Sequence, residues 1–130
     1  MSKENIFTMD TSGIKFGNGC TEEVGYEAKR FGIRKALVIT DKKIEKLGLF
    51  QTVKESLGRY GVDFSVYNEV VTEPTDTSFK NASSFAYNGD YDGFIAVGGG
   101  SVMDTTKAAN LYSTYPADFL DYVNAPVGKG

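Results

Sequence analysis

Short continuous apolar runs alternate along this chain with stretches in which apolar residues recur every three or four positions. The two rhythms predict strands and helices in turn. Ala36 to Thr40, ALVIT, is an unbroken apolar run of strand length, the pattern of a parallel strand covered on both faces. Val62 to Tyr67 alternates with Asp63 and Ser65, as a strand nearer the sheet edge does, and Gly93 to Val97 is a third strand that runs straight into glycines.

Between these runs lie helical spacings. Val24, Ala28 and Phe31 recur at i, i+4 and i+7, with Thr21 placed as a cap, Glu22 and Glu23 in the first turn and Gly32 at the end. Phe50, Val53, Leu57 and Tyr60 mark a second helix that stops at Gly61, after a short turn broken off by Leu47-Gly48. Phe79, Ala82, Phe85 and Ala86 mark a third, opened by Thr75 or Asp76 and closed by Asn88-Gly89. A fourth is predicted from about Val102 to Tyr112, with Ser101 and Asp104 forming an S-x-x-D pair like a capping box. Phe31, Phe50, Phe79 and Phe85 are expected to pack in the core.

The connecting pieces read less regularly. Ile6 to Met9 and Ile14 to Phe16 flank Asp10-Thr11-Ser12-Gly13 and predict a peripheral hairpin. Val70 to Thr75 is a loop in which Pro74 should hold Glu73 extended. After Pro116, Asp118 to Val123 reads as one more helical turn and Ala125 to Gly130 as loop.

The alternation of strand and helix implies one α/β domain over residues 1–130. Its architecture is a Rossmann-like open parallel sheet flanked by helices, with an N-terminal β-hairpin. The expected local strand order is 62–67, 36–40, 93–97. That order brings Asp41 and Gly98-Gly99-Gly100 to the carboxyl ends of neighbouring strands, where open α/β sheets bind ligands.

Composition removes several classes of function. The chain has no histidine, so it cannot by itself build an imidazole zinc or iron site, a Ser-His-Asp triad or a Cys-His nucleophile. Net charge is −3 and the densest basic cluster, Lys42, Lys43 and Lys46, is offset by Asp41 and Glu45, which argues against nucleic acid. Apolar runs fall short of the ~20 residues of a membrane span. Cys20 stands alone, and MSKENIF has neither a secretory nor a transit pattern, so the expected compartment is a reducing cytoplasm.

The chemistry concentrates in FIAVGGGSVMD, from Phe94 to Asp104. A buried strand, a turn without side chains and a helix N-terminus converge backbone N–H groups and the helix dipole on an anion. The triplet follows neither G-x-G-x-x-G nor the P-loop pattern, and the terminal Gly128-Lys129-Gly130 has no preceding strand. Asp41 at a strand end suits the two hydroxyls of an adenosine ribose and would repel a 2′-phosphate, favouring NAD over NADP; it equally suits a cap on the segment Lys42 to Lys46. Asp104 either answers the helix dipole or reaches the nicotinamide end, and Lys107 reads as a solvated lysine.

The set VITD at 38–41, VVTEPT at 70–75 and AVGGGSVMDTTKA at 96–108 resembles the N-terminal domain of the iron-containing (group III) alcohol dehydrogenase family. Glycerol dehydrogenase and dehydroquinate synthase are more distant relatives of that fold. EPTDTSF, KAANLY and DFLDYVNAPVGKG look most like the hydroxyacid–oxoacid transhydrogenase branch. Many family members carry Asn where this chain has Glu73 and Pro where it has Val102. The resemblance implies an NAD-binding half, which is this chain, and an all-helical C-terminal half outside it that holds Fe²⁺ or Zn²⁺ through one Asp and three His. The implied reaction passes hydride between nicotinamide and a small alcohol or hydroxy acid, with the metal as Lewis acid. Carried over, Asp41 would bind the ribose, Gly98, Gly99, Gly100 and Ser101 the pyrophosphate, and Asp104 the nicotinamide end; Thr72 and Glu73 would flank the adenine.

Two other readings stay open at this point. One is a nucleotide-binding or interaction module without turnover, and a weaker one is flavodoxin-like FMN binding. A homo-oligomer also stays open, because surface meant for a second domain would leave an apolar patch beside the Gly98 loop.

Overall fold

A computed structural model of the chain describes residues 10–123. Three parallel strands, β1 (Lys35–Ile39), β2 (Asp63–Tyr67) and β3 (Gly93–Ala96), form one sheet in the order β2-β1-β3. The apolar run therefore takes the centre and the alternating one an edge, as its pattern requires. In register, Leu37 stands beside Ser65 on one side and Phe94 on the other.

Four helices cover the two faces: α1 (Val24–Arg30), α2 (Gly48–Arg59), α3 (Asp76–Gly89) and α4 (Gly100–Thr114). Because strand side chains alternate, Ala36 and Val38 pack with Ala28 of α1 and Phe50, Val53 and Leu57 of α2. Leu37 and Ile39 pack instead with Ala82 and Ala86 of α3 and Val102 and Ala109 of α4. Of the five β1 side chains, Lys35, at the strand's start, is exposed and Ala36, Leu37, Val38 and Ile39 are fully buried. Each larger one contributes roughly 1.5–3 kcal/mol by leaving water.

The winding sets up the site. From β1 the chain crosses to β2 through α2, then returns past β1 to β3 through α3 on the opposite face. Strand order thus reverses between β1 and β3, and their carboxyl ends open a crevice.

Two contacts lock the layers. Gly25 of α1 lies so close to α2 that a Cβ there would sit 2.2 Å from the Ser56 carbonyl oxygen. Its N–H donates to Ser56 Oγ at 2.9 Å, and that hydroxyl donates to the Glu22 carbonyl at 2.6 Å. At the amino ends of the strands, Asp92 accepts from the Lys35 N–H at 2.8 Å and the Arg34 N–H at 3.0 Å, tying β3 to β1. These bonds, the one from Lys35 foremost, hold the Asp92 carboxyl below its ordinary pKa.

Several expectations are corrected. The first arm of the hairpin and the loop at 125–130 lie outside the described residues. Its second arm, Ile14 to Phe16, is not a strand; Lys15 pairs with Glu23 and Glu27, holding the segment near α1 with Ile14 and Phe16 exposed. Thr21 does not cap a helix but sits inside a 3-10 turn, Cys20–Glu23, that precedes α1 and is led in by Gly19. Phe31 falls beyond the last turn of α1 and is exposed, with the Arg30 guanidinium 4.9 Å from its ring. Phe85 is 40% exposed because it packs on Tyr67 of the edge strand, ring centres 5.3 Å apart, rather than under the sheet. The last predicted turn is present as a 3-10 turn over Phe119–Tyr122.

Candidate functional site

The turn after β3 is built from glycines with different duties. Gly98 has φ +154, and a Cβ there would lie 2.6 Å from Val102 Cγ2, so the first glycine is demanded by the fold. Val102 cannot step aside, being 1% exposed and β-branched. At Gly99 and Gly100 a Cβ would meet nothing within 4 Å. The fold does not require those two glycines, and their missing side chains leave the backbone open to whatever approaches.

What faces that opening is a helix N-terminus without a cap. Gly99 is the N-cap of α4 and offers no side chain; the first intrahelical bond runs from the Met103 N–H to the Gly99 carbonyl at 3.0 Å. The N–H groups of Gly100, Ser101 and Val102 therefore have no acceptor within the helix. The expected Ser101–Asp104 capping box is absent, because the helix starts at Gly100 and Ser101 falls inside its first turn. Its carbonyl accepts the Thr105 hydroxyl at 2.8 Å instead. Three donors at the positive end of a 15-residue helix, approached over bare backbone, fit a pyrophosphate.

Asp41 sits at the end of the neighbouring strand. Its Oδ1 accepts from the Lys43 and Ile44 N–H groups, each at 2.8 Å, which fixes the carboxylate and realises the capping reading. Oδ2 takes no part in those two bonds, so the same carboxylate can accept from a ribose. The backbone of Asp41 also pairs as an isolated antiparallel β-bridge with that of Glu69, beyond the end of β2.

Thr72 and Glu73 lie in the loop between β2 and α3, both exposed. Glu73 is not extended as Pro74 led us to expect: its φ is 55, in the left-handed region. The chain bends at these two residues to return from the edge strand to α3, whose start is capped reciprocally by Thr75 and Ser78. Such a backbone costs roughly 1–3 kcal/mol for a side-chain-bearing residue. Asp104 is exposed one turn into α4, on the same side as Met103 and Lys107, both exposed as well. Met103 at 47% exposure supplies an apolar element beside the glycine turn.

Sequence reasoning passed over Thr40, taken only as the last residue of a strand. It is fully buried, and its hydroxyl donates to the Val97 carbonyl at 2.8 Å, directly before Gly98. A polar residue closing an apolar run was the available signal. A groove of about 450 Å³ lies away from the crevice, between α3 and the 119–122 turn, lined in part by Lys80, Tyr87, Tyr112 and Phe119. Among the described residues no three His, Cys, Asp or Glu gather to hold a metal ion, and no helix is long and apolar enough to cross a membrane.

Comparison with known proteins agrees with the fold. Residues 11–130 match the family described as iron-containing alcohol dehydrogenase. The chain is 53% identical over 125 residues to the mitochondrial hydroxyacid-oxoacid transhydrogenase of Bos taurus, covering 95% of this chain and 27% of that protein. To the Homo sapiens protein of the same name it is 50% identical, with the same coverage of 95% and 27%. Among solved structures it resembles the NADH-dependent butanol dehydrogenase A of Thermotoga maritima, with a TM-score of 0.83, 31% identity, and 91% of this chain and 30% of that one covered. The chain thus spans about a quarter of the length of these curated relatives.

The expectation of a cytoplasmic protein is overturned, since these relatives are mitochondrial by name and point to the mitochondrion. A lone cysteine excludes only an intrachain disulfide and by itself assigns no compartment. By its sequence, its sheet and its glycine turn, this chain belongs to the iron-containing alcohol dehydrogenase family.

Proposed function

We propose that this chain is the dinucleotide-binding part of an NAD-dependent, metal-activated oxidoreductase that moves hydride between an alcohol or hydroxy acid and an aldehyde or oxo acid. The observation that carries the proposal is the uncapped N-terminus of α4 behind Gly99 and Gly100, set at the reversal of strand order. The N–H groups of Gly100, Ser101 and Val102 would hold the pyrophosphate, Asp41 the adenosine ribose, and Thr72 and Glu73 the adenine side. Asp104 would lie towards the nicotinamide. When bound, NAD supplies the hydride acceptor, and this chain's own part is to bind and orient it.

Names of the relatives favour a hydroxy acid and an oxo acid as the pair of substrates, and a mitochondrial setting. With no histidine in the chain, metal ligation of the kind the resemblance implies falls to residues outside it. That favours a second, compatible reading for the chain alone: binding without turnover. NADH fluorescence titration tests the cofactor assignment. Saturable binding that NAD competes away, weaker for NADPH, is expected; no binding at millimolar NADH by the folded chain would sink it.

A further inference from the structure

At Thr40 the backbones of all three strands meet. Its N–H donates to the Tyr67 carbonyl at the end of β2 at 2.9 Å, and its own carbonyl accepts the Val70 N–H at 3.4 Å. Its hydroxyl donates to the Val97 carbonyl at 2.8 Å at the end of β3. The Val97 N–H in turn donates to the Ile39 carbonyl at 2.9 Å, so both backbone polar groups of Val97 are held by consecutive residues, Ile39 at the end of β1 and Thr40 directly after it. Because a peptide is planar, fixing the Val97 carbonyl fixes the plane of the Val97–Gly98 peptide and the entry to the glycine turn. Thr40 is fully buried and Val97 is 8% exposed, so water is poorly placed to replace this bond.

Each segment tied to Thr40 leads into a proposed cofactor contact. Asp41 follows it directly, the loop from Val70 leads to Thr72 and Glu73, and Val97 leads to Gly98 through Ser101. We infer that Thr40 is a positioning residue: its side-chain hydroxyl, on top of its strand bonds, sets the glycine turn against Asp41 and so sets the affinity for the dinucleotide. This inference rests on the cofactor reading above.

The test titrates NADH into the chain carrying Thr40→Val, which removes the hydroxyl at nearly constant shape, and Thr40→Ser, which keeps it. Ser56→Ala serves as the control, removing another buried bonded hydroxyl, 1% exposed, from the α1–α2 contact. We expect Thr40→Val to raise the NADH Kd about tenfold, as loss of one buried hydrogen bond at the site should, and Thr40→Ser to stay within about threefold. Ser56→Ala should lower the melting temperature yet leave Kd within about twofold. Unchanged affinity in Thr40→Val, or equal losses in Thr40→Val and Ser56→Ala, would overturn the positioning role. If Thr40→Val does not fold, the smaller hydroxyl-free variant Thr40→Ala is read against Thr40→Ser in the same way. Failure of the parent chain to bind NADH would overturn the cofactor reading itself, a result distinct from the other two.

Discussion

Alanine placed at successive glycines of the turn should separate folding from binding. At Gly98 the added Cβ meets Val102 Cγ2 at 2.6 Å and Val102 Cβ at 2.9 Å, on a backbone with φ +154. Overpacking against a fixed core side chain costs roughly 1–3 kcal/mol, and the disfavoured φ about as much again. Gly98→Ala should therefore lose about 2–6 kcal/mol, which in a domain of this size lowers Tm by roughly 8–24 °C. At Gly100 the Cβ meets nothing within 4 Å and the residue is helical, so Gly100→Ala should be neutral or stabilise by up to about 1 kcal/mol. The same Cβ stands where a pyrophosphate would approach, and we expect NADH affinity to fall about tenfold or more. Thermal unfolding followed by circular dichroism gives the first quantity and NADH fluorescence the second. A Gly98→Ala protein as stable as the parent, or a Gly100→Ala protein with unchanged affinity, would refute the reasoning.

Two further changes probe the ends of the sheet. Asp41→Asn keeps an acceptor for the Lys43 and Ile44 N–H groups but removes the charge, so the fold should persist while preference for NADH over NADPH narrows, read as the ratio of the two Kd values. Asp92 has its pKa lowered by folding, so its stabilising contribution is present above the unfolded aspartate pKa of about 4 and is lost as pH falls through the lower folded value. Asp92→Asn should accordingly lower Tm at neutral pH and flatten the acid limb of the Tm–pH curve.

How much of this was legible in the sequence depends on which physical force decides each feature. The central strand was legible because a run such as ALVI has no polar side to turn to water; once it is central, the alternating DFSVY goes to an edge. The strand order, and with it the pairing of Asp41 with the glycine turn at a reversal, followed from that. Features decided at element ends were not legible. Phe31 keeps helical spacing with Ala28, yet the spacing does not say that α1 stops one residue earlier. Ser101 was misread as a cap because Gly99, with no side chain, takes that place and leaves the donors open. Glu73 shows that the residue before a proline can be carried into the left-handed region when a loop must bend back over a sheet. Thr40 was hidden because its role lies in a hydrogen bond to a residue 57 positions away.

The most direct test of the account is amide chemical-shift mapping on the isotope-labelled chain during an NADH titration. The account predicts the largest shifts at Gly98, Gly99, Gly100, Ser101 and Asp41, growing together along one saturation curve. Shifts gathered instead around Lys80, Tyr112 and Phe119, or none at these turn residues when NADH is saturating, would contradict it.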